Sequence, residues 1–156
     1  MQELTMSAPP STYQADLNRR EEIAVSGAAL SDAPWKLAGA AGVAVAGADM
    51  LAHLVFLHWA LMSPLSEGVV AFFAVAGAGA LVRSRHSRAL RWARSRPWRF
   101  AVMPGAAAAI VIFVLTMVHG SGIFGSAFTA LWHGALAYGI TGVVGSLVRP
   151  GSDKRG

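Results

Sequence analysis

The run from Arg83 to Arg99, RSRHSRALRWARSRPWR, carries seven of the chain's 13 Lys and Arg residues and no acid, and it lies between two long uncharged apolar stretches. Lys and Arg close to membrane spans resist translocation, so such a segment stays in the cytoplasm while the chain crosses the bilayer on either side of it. An ordinary soluble fold is excluded. Of the 156 residues 54% are hydrophobic and 13% charged, with a mean hydropathy of +0.49, and the apolar runs are long enough to span lipid. The expected fold class is all-α, a polytopic membrane protein whose four transmembrane helices form a bundle.

Spans are expected over 37–62, 64–82, 100–118 and 127–148. The first two are joined by Ser63-Pro64-Leu65-Ser66-Glu67, where Ser63 can cap and Pro64 can open the next helix. The last two are joined by the glycine-rich Gly120-Ser121-Gly122-Ile123-Phe124-Gly125-Ser126. Neither turn contains Lys or Arg, whereas Arg19, Arg20, Lys36, Arg149, Lys154 and Arg155 fall on the same side as the basic loop 83–99. The positive-inside rule then places the chain in the cell membrane with both termini cytoplasmic. Residues 1–34 are polar and rich in Pro, Ser and Ala, without the apolar core of a signal peptide. They read as a retained, largely disordered cytoplasmic tail in which a short helix near Ala15 to Ala24 lacks an apolar face to pack. Residues 35–149 form the membrane domain and 150–156 a second cytoplasmic tail.

The two hairpins match at their borders. Trp35-Lys36 and Trp98-Arg99 open them, and Gly79-Ala80-Leu81-Val82-Arg83 and Gly145-Ser146-Leu147-Val148-Arg149 close them. A tandem repeat with parallel topology would pack about an axis along the membrane normal; the competing account is that Trp and Arg are common at membrane borders anyway. Small residues recur at four-residue spacing, at Ala38, Gly42 and Ala46, at Ala74 and Ala78, at Gly105 and Ala109, and at Ala135 and Gly139, a pattern that lets helix backbones approach.

Ionisable residues inside a bilayer are costly and therefore candidates for function. Asp49 and His53 share a helix face, and the carboxylate can orient the imidazole so that its other nitrogen is available to a metal, a haem iron or a proton. His53 lies nine positions before Met62 and His133 seven after Ser126, which puts both about 10–14 Å below the outer surface. Two histidines at one depth on neighbouring helices are what a bis-imidazole haem b or a metal site needs. His58, Glu67 and His119 lie nearer the outer rim and with Asp49 make a polar ladder suited to a proton or ion path, although the inner half has no ionisable residue to continue it. Against each of these stands a local role as buried polar fasteners between helices. The chain has no cysteine, which excludes disulfides, thiolate metal sites and covalently attached haem. With no phosphate loop, Ser/His/Asp set or metalloprotease motif either, a non-catalytic protein without a cofactor is expected, haem b being the exception to test.

The basic loop, Arg83, Arg85, Arg88, Arg91, Arg94, Arg96 and Arg99, can lie along the inner leaflet as a helix with Trp92 dipped into lipid and the guanidinium groups at the headgroups. The same ingredients suit phosphate contact with nucleic acid, without a base-reading motif. A small, Ala/Gly-rich chain of four spans over residues 35–149, with an Arg-rich loop from Arg83 to Arg99, resembles the plasmid-spread proteins of mycelial actinomycetes, which accompany a DNA translocase in conjugation. The resemblance is one of architecture and transfers no functional residue. It implies an accessory membrane component, homo-oligomeric or bound to another membrane protein, that presents its basic loop to DNA or a cytoplasmic partner. Small holins share the architecture, so a holin-like or ion-conducting protein stays open beside the haem- or metal-carrying redox subunit.

Overall fold

The computed structural model describes residues 12–56, 62–82 and 88–148. Among them are six helices and no strand: α1 Thr12–Ser31, α2 Trp35–Val55, α3 Met62–Val82, α4 Arg88–Ser95, α5 Pro97–Val118 and α6 Gly122–Leu147. Four, α2, α3, α5 and α6, are long and apolar enough to cross a membrane. At about 1.5 Å per residue each covers roughly 30 Å or more, the thickness of a hydrocarbon core. Their alternation gives the bundle a turn end, with the α5–α6 connection, and a basic end, with α1 and α4.

The helix borders follow local chemistry. Pro97 stands at the start of α5, where its missing N–H would have no helical partner. Between α5 and α6 the chain reverses through Gly120 (φ 89°) and Gly122 (φ 68°), a left-handed backbone that only glycine adopts without strain. That reversal is shorter than the glycine-rich stretch suggested, because α6 starts at Gly122 and runs through Ile123 and Phe124. The first span is also shorter than expected: α2 ends at Val55 with Phe56 as its cap, and Met62 already belongs to α3.

Two antiparallel hairpins, α2–α3 and α5–α6, make the bundle, and α3 packs on both α5 and α6. The hairpins are built alike, with one fixed register relating α2 to α5 and another relating α3 to α6. A Cβ on Gly42 would meet the Gly68 carbonyl oxygen at 2.9 Å and Phe72 Cβ at 3.1 Å; one on Gly105 would meet the Gly134 oxygen at 3.0 Å and Tyr138 Cβ at 2.8 Å. Trp35 lies against Phe72 with ring centroids 5.8 Å apart, and Trp98 against Tyr138 at 5.4 Å. Gly79 abuts Pro34, and Gly145 abuts Pro97, its equivalent. These matches lie in the middle of the helices as well as at the borders, where interfacial preference explains nothing, so they favour the repeat over coincidence.

Close backbone approach is thus what joins each hairpin, as expected where lipid supplies no hydrophobic drive between helices. The residues responsible are only partly those marked by the small-residue stripes. Gly42, Ala46, Gly105 and Ala109 do sit at the contacts, but Gly139 has open space around it, and the glycines of α6 that touch α5 are Gly134, Gly142 and Gly145.

Residues 1–34 were expected to be largely disordered; α1 corrects this over Thr12–Ser31, while residues 1–11, like the expected tail 150–156, lie outside the described residues. Its small side chain Ala29, with Ala33 beyond it, is buried in a cluster that includes Leu81, Leu90, Ala93 and Phe100, and Ser26 is buried as well. Small residues make little apolar periodicity in a sequence, yet they let a helix lie close against a platform that other elements provide.

Candidate functional site

Two places gather the chain's polar chemistry. The first is on α2. Asp49 Oδ2 accepts a hydrogen bond from Ser63 Oγ at 3.2 Å, so Ser63, expected as a helix cap, instead ties α3 to α2. His53 Nδ1 lies 3.4 Å from Asp49 Oδ1 and 2.9 Å from the Asp49 carbonyl oxygen. A carbonyl can only accept, so Nδ1 carries the proton and, in the neutral ring, Nε2 is left as the acceptor. His133 repeats this arrangement, with Nδ1 2.8 Å from the Thr129 carbonyl oxygen. Both side chains of the Asp49–His53 pair are 26% exposed, and they open with Ala52 and Phe56 onto a shallow recess of about 350 Å³.

The shared site expected for His53 and His133 does not form from this packing. α2 packs on α3, whereas α6 packs on α5 and α3, and α2 and α6 share no extended contact. Nor are the two histidines equivalents in the repeat: the register pairs His53 with Thr116 and His133 with Glu67. Similar depth was the signal in the sequence, but depth says nothing about direction around the bundle axis. Among the described residues, no group of three or more His, Cys, Asp or Glu side chains could hold a metal ion. The ladder also does not assemble: Glu67 and His119 are exposed, and no hydrogen bond or ion pair joins Glu67, His119 or His133 to the Asp49 cluster among the described residues. His58 lies outside the described residues.

Two further polar groups escaped the sequence reading. Ser126 Oγ and Thr141 Oγ1 are fully buried without a hydrogen-bond partner among the described residues. Thr141 sits against Gly77 and Pro104 where α3 meets the second hairpin. A hydroxyl amid Ala and Gly is too ordinary in a membrane helix to have drawn notice.

The second place is the basic end. Arg94 Nε donates to the Leu81 carbonyl oxygen at 2.8 Å, near the C-terminus of α3, where the helix dipole favours a cation. Glu22 of α1 binds Arg99 and lies 3.5 Å from Arg96. The basic segment has no acid of its own, but the tail supplies one. Trp92, expected to dip into lipid, is instead half-buried against the α1–α3–α5 cluster, and it lines with Glu21, Glu22, Val25, Arg96 and Arg99 a cavity of about 560 Å³. Trp92 turns inward because α1 offers an apolar surface the loop alone did not predict. Arg91 is exposed; the side chain of Arg88 and all of Arg83 and Arg85 lie outside the described residues.

No family model matches this chain, and neither a curated protein nor a solved structure matches it.

Proposed function

We propose that this chain is a non-catalytic, multi-pass accessory component of the cell membrane that holds a basic face on the cytoplasmic side for a polyanion, of the kind used in plasmid spread. The observation that supports this reading is the way the basic segment is fastened. Arg94, Arg96 and Arg99 are occupied in binding α4 and α1 to the bundle, and Arg91 points outward from that braced helix. A surface braced in this way presents charge in a fixed place, which a solvated loop does not. In this reading its contacts are anionic lipid, nucleic acid and a membrane-protein partner or further copies of the chain, and no cofactor is required.

Neutralising Arg85, Arg88 and Arg91 while keeping Arg94, Arg96 and Arg99 separates ligand binding from folding. The wild-type protein in detergent is expected to retard duplex DNA with an affinity that falls steeply as salt rises, and the triple variant to show a shallower salt dependence. Retardation absent even at low salt, with binding to anionic vesicles intact, would remove nucleic acid and with it the plasmid-spread reading. An absorbance spectrum of protein purified from haem-replete cells tests the redox alternative, since bis-imidazole haem gives a sharp Soret band.

A further inference from the structure

The repeat makes each helix face of one hairpin comparable with its equivalent in the other, and one comparison fails to balance. On α3, Ser66, Val70, Ala74 and Leu81 are at most 9% exposed, and Gly77 between them is buried. This stripe is the one that meets the second hairpin: Gly77 abuts Pro104 and Thr141, Leu81 abuts Gly145, and Val70 shares a core cluster with Ala108 and Ile112. Its equivalents on α6, Trp132, Leu136, Ile140, Val143 and Leu147, are all at least 41% exposed.

The receiving face behaves in the same way. α5 buries Phe100, Pro104, Ala108 and Ile112. Their equivalents on α2 are Leu37, Ala41, Val45 and Asp49. Leu37 and Val45 are exposed and Ala41 and Asp49 half-buried, because α2 has no extended contact beyond α3. This open face also bears the Asp49–His53 pair, which would be costly against lipid.

The packing of the hairpins is therefore heterologous. In a true two-fold pair, Leu81 on Gly145 would be mirrored by Leu147 on Gly79, yet Leu147 is 77% exposed and Gly79 meets Pro34. A heterologous contact leaves one donor and one acceptor surface over, and another copy of the chain carries the surface that matches each. Both hairpins cross the membrane the same way up, so such a copy would be related by rotation about the membrane normal.

We propose that this chain assembles with copies of itself in the membrane plane, the α6 stripe of one copy docking on the α2–α3 hairpin of the next, with Ala41 of α2 in the contact, and repeating between molecules the packing of α3 on α5 and α6 within one. The assembly rests on the membrane fold alone and not on the ligand of the basic end.

The contact Gly77–Pro104 within the chain corresponds to Val143 of one copy against Ala41 of the next. The chain has no cysteine, so introduced pairs are read on a clean background. Co-expressed Ala41→Cys and Val143→Cys chains, oxidised in native membranes, are expected to give a covalent dimer, and the double variant in one chain a ladder of higher multiples. Neither single variant is expected to link to itself, nor Val143→Cys to a Val43→Cys chain, whose cysteine lies on another face of α2. Self-linking of Val143→Cys, linking to Val43→Cys as strong as to Ala41→Cys, or Ala41→Cys captured by a different protein would overturn the arrangement. So would light scattering of the wild-type protein in mild detergent that shows only monomer. The Arg85/Arg88/Arg91 variant is expected to bind polyanion more weakly and with a shallower salt dependence while its cross-linking is unchanged, so the two readings fail separately.

Discussion

Gly134 on α6 offers the sharpest test of how the hairpins are held. A Cβ placed there by Gly134→Ala would lie 2.7 Å from Ala109 Cβ and 2.9 Å from the Gly105 carbonyl oxygen. Carbon atoms settle about 3.5–4.0 Å apart, so α5 and α6 must move apart by a sizeable fraction of an ångström. Neither obstacle is the end of a flexible side chain. Overpacking of this kind costs about 1–3 kcal/mol, and the conformational gain of Ala over Gly in a helix, about 0.5–1 kcal/mol, only partly offsets it. Gly139→Ala on the same helix is the control, because nothing lies within 4 Å of its Cβ and only the gain remains. The two variants should therefore differ by about 2 kcal/mol, or roughly 4–8 °C in midpoint for a chain of this size. Thermal unfolding in one detergent, followed by helix content, reads the difference. Adding Ala109→Gly to Gly134→Ala removes the closer contact and should restore part of the loss. Equal midpoints for Gly134→Ala and Gly139→Ala would refute close backbone approach as the joint between α5 and α6.

The equivalent change in the first hairpin, Gly68→Ala, would meet Ala46 Cβ and the Gly42 oxygen, both at 2.9 Å, and should destabilise in the same direction; an unaffected midpoint would break the likeness of the two hairpins. Thr141→Val replaces a buried, unpartnered hydroxyl by a methyl of similar shape, and unfolding is expected at an unchanged or higher temperature, since such a hydroxyl costs about 1–3 kcal/mol to bury; a clear drop would mean it has a partner. Glu22→Gln should loosen α1, seen as faster proteolysis within Thr12–Ser31 at low salt, and the difference should fade near about 1 M salt because the pair is exposed and worth at most about 1 kcal/mol. Reporters inserted near Arg91 should respond as cytoplasmic and those near Ser66 or Gly122 as external; an external response at Arg91 would reverse the orientation.

The length and apolar character of the four spans were legible in the sequence because a helix that crosses lipid must satisfy its backbone internally and present apolar side chains over its whole length. The basic run from Arg83 to Arg99 likewise predicted its own place at one end, since charge near a span resists burial whatever the tertiary packing. The likeness of the hairpins showed only at Trp35, Trp98 and the closing Gly-x-Leu-Val-Arg segments. The matched contacts of Gly42 with Gly68 and of Gly105 with Gly134 needed the structure, because spacing along one helix does not say which helix it meets.

Direction around the bundle axis was the main thing the sequence could not carry. Asp49 and His53 share a face by periodicity, but whether that face meets Ser63, His133 or open membrane depends on how α2 leans, and among the described residues its one extended contact is with α3. His53 and His133 were paired by depth and separated by packing. α1 formed because Leu90, Ala93 and Phe100 provide a surface for Ala29 and for Ala33 beyond it, a surface that no stretch of residues 1–34 contains. Periodicity is a property of one helix, whereas the partner of each face is a property of the assembled bundle, and only tertiary structure decided the latter.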